Sequence, residues 1–135
     1  MPIIWAFGVA HPPRHHFKAV LGSFMSFVIG NITLPHAAIL APMSGVTDWP
    51  FRRAVRRCGG GLVVTEMVAS RAVLHDVRSE MRKLRTEAEA EAPLSIQLAG
   101  WEPMVMAEAA KICADIGATF IDINMGCPAK KVTGK

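Results

Sequence analysis

The stretch Ile121–Lys131, IDINMGCPAKK, holds the strongest chemical signal in the chain. An apolar, strand-like segment runs into a turn in which Cys127 stands between Gly126 and Pro128, the two residue types that most constrain backbone shape. A thiol held at the mouth of a loop can act as a nucleophile, a redox group or a proton donor. Lys130 and Lys131 follow directly, suited either to an anionic substrate or to plain solvation. Cys58 and Cys113 read differently. Each falls on an apolar helical stripe, the usual place for a free cysteine, and both are expected in the core.

Other polar residues interrupt apolar runs. Gln97 breaks the run LSIQLAG, and a buried amide needs a partner. Its joint donor and acceptor suit a ligand such as the pyrimidine edge of a flavin, or equally a bond to a neighbouring strand. Glu66 is either a base or a satisfied partner between strands, and the second reading is favoured. Asp122 is expected to meet a helix or a buried partner and is given no chemical role.

The elements that must position these groups follow from periodicity. FVIGNITLPH has two short β-rich runs around Gly30-Asn31, the pattern of a hairpin. Four further strands are expected at Ala37–Met43, Leu62–Met67, Leu94–Gly100 and Thr119–Asn124, the first two reading as buried on both faces. Between them, Asp48 is placed to cap a helix whose apolar stripe is Phe51, Ala54, Val55 and Cys58, with Arg52, Arg53, Arg56 and Arg57 mostly turned away. A helical stretch is expected from about Val68 to His75. EAEAEA (Glu87–Ala92) reads as an exposed helix end or loop, and a helix opening at Glu102-Pro103 buries Val105, Ala109, Ile112, Cys113 and Ile116.

Strands alternating with helices predict a parallel sheet with right-handed crossovers, closed either as an open doubly wound sheet or as a (β/α)8 TIM barrel. A dinucleotide-binding sheet should carry GxGxxG after its first strand, and APMSGVTD does not. The terminal VTGK is not a phosphate-binding loop, because the earlier glycine of that motif falls at Ala129. Four βα units make half a barrel, preceded by the hairpin. In barrels the chemistry sits at the C-terminal strand ends, here Pro42-Met43-Ser44, Thr65-Glu66-Met67, Gln97-Leu98-Ala99 and Asn124–Cys127.

Composition narrows the class. Of 135 residues, 51% are hydrophobic and 19% charged, which excludes a disordered chain. The net charge of +4 is mild, but between Arg52 and Arg85 basic residues outnumber acidic ones nine to three, suiting phosphate or a set of solvated helix faces. Three irregularly spaced cysteines argue against a disulfide framework and for a reducing, cytoplasmic setting. No CxxC or HExxH suggests a metal site, and His11, His15 and His16 lack a second cluster that would complete one. The run Ala19–Ile29 is too short to span a bilayer and has no convincing cleavage site after it. Residues 1–24 show no periodicity. They are expected to be an atypical extension from a start codon placed too early, the natural chain beginning at Met25.

APMSGVTDWPFR, TEM, SIQLAG and above all DINMGCPAKKV resemble the N-terminal half of the bacterial tRNA-dihydrouridine synthases, over about Phe27 to Gly134. Four motifs occur in the same order, each at a strand end; Ser44 departs mildly from the alanine of many relatives. The resemblance implies that residues 25–135 are the first half of an FMN-binding TIM barrel truncated at Lys135, the rest of the barrel and a helical RNA-binding domain lying beyond it. It implies reduction of the C5=C6 bond of tRNA uridines, with NADPH or NADH reloading the flavin. Carried over, Pro42, Met43 and Ser44 lie against the FMN ring, and Gln97 bonds the isoalloxazine. Asn124 holds the target uracil, and Cys127 protonates C5 after hydride from flavin N5 reaches C6. A cytoplasmic protein acting on tRNA, monomeric and without a membrane, is expected, and the fragment alone is expected to be inactive and aggregation-prone.

The competing readings are a non-catalytic RNA-binding module using the arginine block, another FMN-barrel oxidoreductase, and a cysteine-based redox protein. The last lacks a resolving cysteine near Cys127.

Overall fold

The computed structural model describes residues 26–126. The expectations for residues 1–24, for a start at Met25, and for Cys127, Lys130 and Lys131 lie outside the described residues.

The hairpin forms as the sequence indicates. β1 (Phe27–Ile29) pairs antiparallel with β2 (Ile32–Leu34) across Gly30, whose φ of 60° is left-handed. A mixed α/β body with a parallel sheet follows. β3 (Ile39–Leu40) pairs with β4 (Leu62–Val64), β4 with β6 (Leu94–Ala99), and β6 with β7 (Phe120–Asn124), every pair parallel. The expected strand at Ala37–Met43 is thus only two residues long, and Ile39 is exposed instead of buried on both faces.

The second expected strand is broken. After β4 the chain leaves the ladder at Thr65–Met67 and returns as β5 (Val68–Ala69), which pairs with the far end of the same β6. Helix α1 (Trp49–Arg57) lies between β3 and β4. α2 (Ser70–Leu74) therefore starts two residues later than its helical pattern suggested, and α3 (Arg78–Met81) and α4 (Ala88–Glu91) are single turns. α5 (Pro103–Asp115) is the long helix.

The two faces of the sheet differ in chemistry. Leu94, Ile96 and Leu98 of β6 join Val63, Val68, Val73, Leu84, Ala109 and Cys113 in one buried apolar cluster. Ser95 and Gln97 alternate with them and so point to the opposite face. Burial pushes the Cys113 thiol up to about 11, so it stays protonated through the neutral range.

Helix α1 keeps Val55 of its expected stripe against the core and overturns the rest. Phe51, Ala54 and Cys58 are exposed, and Arg52 is fully buried. Arg52 Nε donates to Glu91 Oε1 at 2.7 Å and Nη2 donates to Glu91 Oε2 at 3.3 Å. Nη1 donates to the Thr47 carbonyl at 2.7 Å and Nη2 to the Arg85 carbonyl at 2.9 Å. Glu91 is likewise fully buried and supplies the counter-charge, while Glu87, Glu89, Ala90 and Ala92 around it are exposed as expected. Arg56 is also committed to structure. Its Nη1 donates to the carbonyls of Gly60 at 2.7 Å and Gly61 at 2.9 Å, and its Nη2 to Ala92. Burial lowers its pKa, with Glu91 opposing the shift. Asp48 caps the helix as expected, its Oδ1 accepting from Phe51 N at 3.0 Å.

In the intact protein, Arg52→Met alone should cost about 3–5 kcal/mol in urea unfolding, because it strands Glu91 without a partner. Adding Glu91→Leu should recover most of that loss; a double variant as weak as the single one counts against the pairing. Peptide-resolved maleimide labelling at pH 8 should modify Cys58 and spare Cys113 until the protein unfolds.

Candidate active site

The C-terminal ends of β3, β4, β6 and β7 are tied into one hydrogen-bonded chain. At the first, the loop after β3 folds back on itself. Val46 N and Thr47 N donate to the Met43 carbonyl at 3.1 and 3.0 Å. The buried Thr47 hydroxyl accepts from Met43 N at 3.1 Å and contacts the Met43 carbonyl at 3.1 Å. Gly45 sits at φ 75°, a conformation that a side chain would strain, and its N donates to Glu66 Oε2 at 2.6 Å. Glu66 is therefore a satisfied structural partner, as favoured from sequence, although its partner is a loop and not a strand. Pro42 and Met43 are half-buried and Ser44 is exposed.

Thr65 marks the break between β4 and β5. Its N donates to the Ser95 carbonyl at 2.9 Å, and its hydroxyl accepts from Gln97 N at 3.2 Å while donating to the Glu66 carbonyl at 2.9 Å. One threonine side chain thus replaces a missing rung of the ladder.

The register of β6 and β7 sets Gln97 beside Asp122 and Ala99 beside Asn124. Gln97 Nε2 donates to Asp122 Oδ2 at 2.6 Å, and Asn124 Nδ2 donates to Gln97 Oε1 at 3.2 Å. Asn124 Nδ2 also approaches Met67 Sδ at 3.4 Å, and its Oδ1 accepts from Gly126 N at 3.1 Å. That last bond turns the chain immediately before Cys127. Among the described residues, Gln97 keeps one N–H and one oxygen lone pair after these bonds. Asn124 keeps one lone pair, plus an N–H held only by a weak sulfur acceptor.

The structure brings Gln97 and Asn124 into direct contact and links the Pro42–Ser44 loop to them through Glu66 and Thr65. Sequence reading missed Thr65 and gave Asp122 too little. Asp122 orients the Gln97 amide, and the available signal was two polar residues in neighbouring apolar strands, which a parallel register sets side by side. Among the described residues, no helix is long and apolar enough to cross a membrane.

Comparison with known proteins identifies the family. Residues 39–135 match the family model described as dihydrouridine synthase (Dus). The chain is 56% identical over 110 residues to the probable tRNA-dihydrouridine synthase of Rhodobacter capsulatus, covering 82% of this chain and 34% of that protein. It is 56% identical over 104 residues to the probable tRNA-dihydrouridine synthase of Rickettsia bellii, covering 77% of this chain and 32% of that one. It is 53% identical over 107 residues to tRNA-dihydrouridine synthase B of Pseudomonas aeruginosa, covering 79% and 32%. The chain spans about a third of the length of these relatives.

In the intact protein, Gln97→Leu should lose about 1–3 kcal/mol of stability, since it leaves Asp122 and Asn124 without their partner. Asp122→Asn, which keeps an acceptor facing Gln97, should lose less. Equal losses in chemical denaturation would argue that packing, not the amide bond, holds this corner.

Proposed function

The chain belongs to the dihydrouridine synthase family, and from that premise we propose that it forms part of an enzyme that reduces the C5=C6 bond of uridine in tRNA, using FMN recharged by NADPH or NADH. The observation that carries the reading is the contact between Gln97 and Asn124 on the polar face of a parallel sheet. The half-barrel reading of this sheet and its closure in the full-length protein are part of the same proposal, supported by the parallel order of β3, β4, β6 and β7.

The donor set fits a flavin. Gln97 retains one N–H and one lone pair, which matches a pyrimidine edge carrying both an acceptor and a donor. Asp122 fixes which way that amide points. FMN, when bound, supplies the reducing equivalents. The Met43 N–H and carbonyl are already occupied by Thr47 and the turn. Pro42 and Met43 therefore contribute a rigid surface against a ring, and Ser44 is exposed beside them. Asn124 orients the uracil through its free lone pair and through the N–H now spent on sulfur, a bond cheaply exchanged for a carbonyl oxygen.

Cys127 holds the proton delivered to C5. A thiol near its ordinary pKa of about 8.5 is mostly protonated at neutral pH and so is ready to donate.

Cys127→Ala in the full-length protein should retain FMN and tRNA binding but lower dihydrouridine formation about 10²–10⁴-fold, the usual contribution of a general acid. Turnover on unmodified tRNA at the wild-type rate would sink the assignment. Absence of flavin from the purified wild-type protein would instead favour a non-catalytic RNA-binding module.

A further inference from the structure

Trp101 lies two residues beyond the end of β6, at the same end of the sheet as Asn124, which pairs with Ala99. Its placement is forced by Gly100. A Cβ on Gly100 would stand 2.2 Å from Ser70 Oγ and 2.8 Å from Met106 Sδ, so the chain passes hard against the start of α2. That passage sets the indole beside Arg71, whose guanidinium carbon lies 5.5 Å from the ring centroid. Arg71 is held in turn by Glu102, which accepts from its Nε at 2.8 Å and also from its Nη2. Glu102 opens α5 yet makes no capping bond with its side chain. The ion pair is largely exposed and adds little to stability, so its consequence is orientation.

Trp101 remains 51% exposed, and Met104 three residues on is 74% exposed. A large indole with a fixed cation over one face and solvent on the rest is not placed for the core. Trp49 is a useful contrast. It has Arg53 at 5.3 Å and Arg85 at 5.7 Å from its ring and a buried Nε1, and it is half-buried.

Resting on the RNA-substrate reading above, we propose that Trp101, backed by Arg71, is a stacking platform for an unpaired nucleobase of the tRNA that flanks the reacting uridine. The chemistry matches on both sides. Every base has a π-face that stacks on indole, and a guanidinium behind the ring adds attraction to the base and its phosphate. The charge matches too: Arg52 and Arg56 are spent inside the fold, but Arg57, Arg78, Arg82 and Arg85 are exposed. An RNA enzyme that reacts at one base must splay neighbouring bases out of their stack, and an aromatic surface beside the site gives them a place to rest.

The test uses the full-length protein and an in vitro transcribed, unmodified tRNA, with affinity, kcat and KM measured for Trp101→Phe and Trp101→Leu. Both substitutions sit at a half-exposed position and keep apolar bulk, and melting midpoints verify folding. Phe keeps a π-face and should bind like wild type. Leu should weaken binding about 5- to 150-fold, the range for loss of one base–aromatic stack. That loss should appear in KM with kcat little changed, and the salt dependence of binding should stay as in wild type, since no phosphate contact is removed. Leu and Phe variants of equal affinity overturn the platform and leave the enzyme reading intact. A wild-type protein that binds no tRNA overturns both.

Discussion

A full positive charge buried at Arg52 is the constraint on which the rest of this structure depends. An isolated guanidinium in the interior costs several kcal/mol, and the fold tolerates it only because each face of the fork is met. Glu91 supplies both carboxylate oxygens, and the carbonyls of Thr47 and Arg85 accept one further N–H each. These partners come from three separate stretches of chain, so one side chain fixes α1, the loop after β3 and the connection before β6 relative to one another. Thr47 passes the constraint on through its hydroxyl to Met43, and Gly45 passes it to Glu66 at the end of β4. The loop proposed to lie against the cofactor is therefore shaped by the buried salt bridge beneath α1.

That arrangement explains what could and could not be read from sequence. The hairpin, β6, α5 and β7 were legible because each is decided locally, by turn residues or by an apolar period. The inward face of α1 was not. Counting apolar residues sets Phe51, Ala54, Val55 and Cys58 inside, and it takes Arg52 for a surface residue. Glu91 lies 39 positions away in a segment that looks solvated, and only the folded chain shows that the two charges cancel. Exposed Cys58 is the counterpart of that error, since turning Arg52 inward turns the cysteine out. Cys113 needed no distant partner and is buried where its stripe put it.

The site was legible to a different degree. Gln97 stood out as a polar residue in a buried strand, and Asn124 stood out through its motif. Their contact depends on the register of β6 against β7, which no single strand contains. Thr65 was hidden for the opposite reason. LVVTEM looks like a continuous strand, and the break becomes visible only when the ladder is seen to skip from Val64 to Val68.

Polar residues on one face of a parallel sheet are costly to bury, and helix packing on the other face gains nothing from them. Leu94, Ile96 and Leu98 would serve the apolar cluster equally well if Ser95 and Gln97 were valines. Stability alone therefore gives no reason for Gln97, Asp122 and Asn124 to stand in a row, each using part of its hydrogen-bonding capacity on the next. A chain of amides and a carboxylate locked in this way is pre-organised. Its orientation is settled before anything binds, and the capacity left over is aimed by bonds already made. Closeness of the strand ends supplies the position, and the Asp122–Gln97–Asn124 row supplies the direction. That division between an apolar face that forms the core and a polar face whose groups bond to one another is the physical reason to look for chemistry at these strand ends.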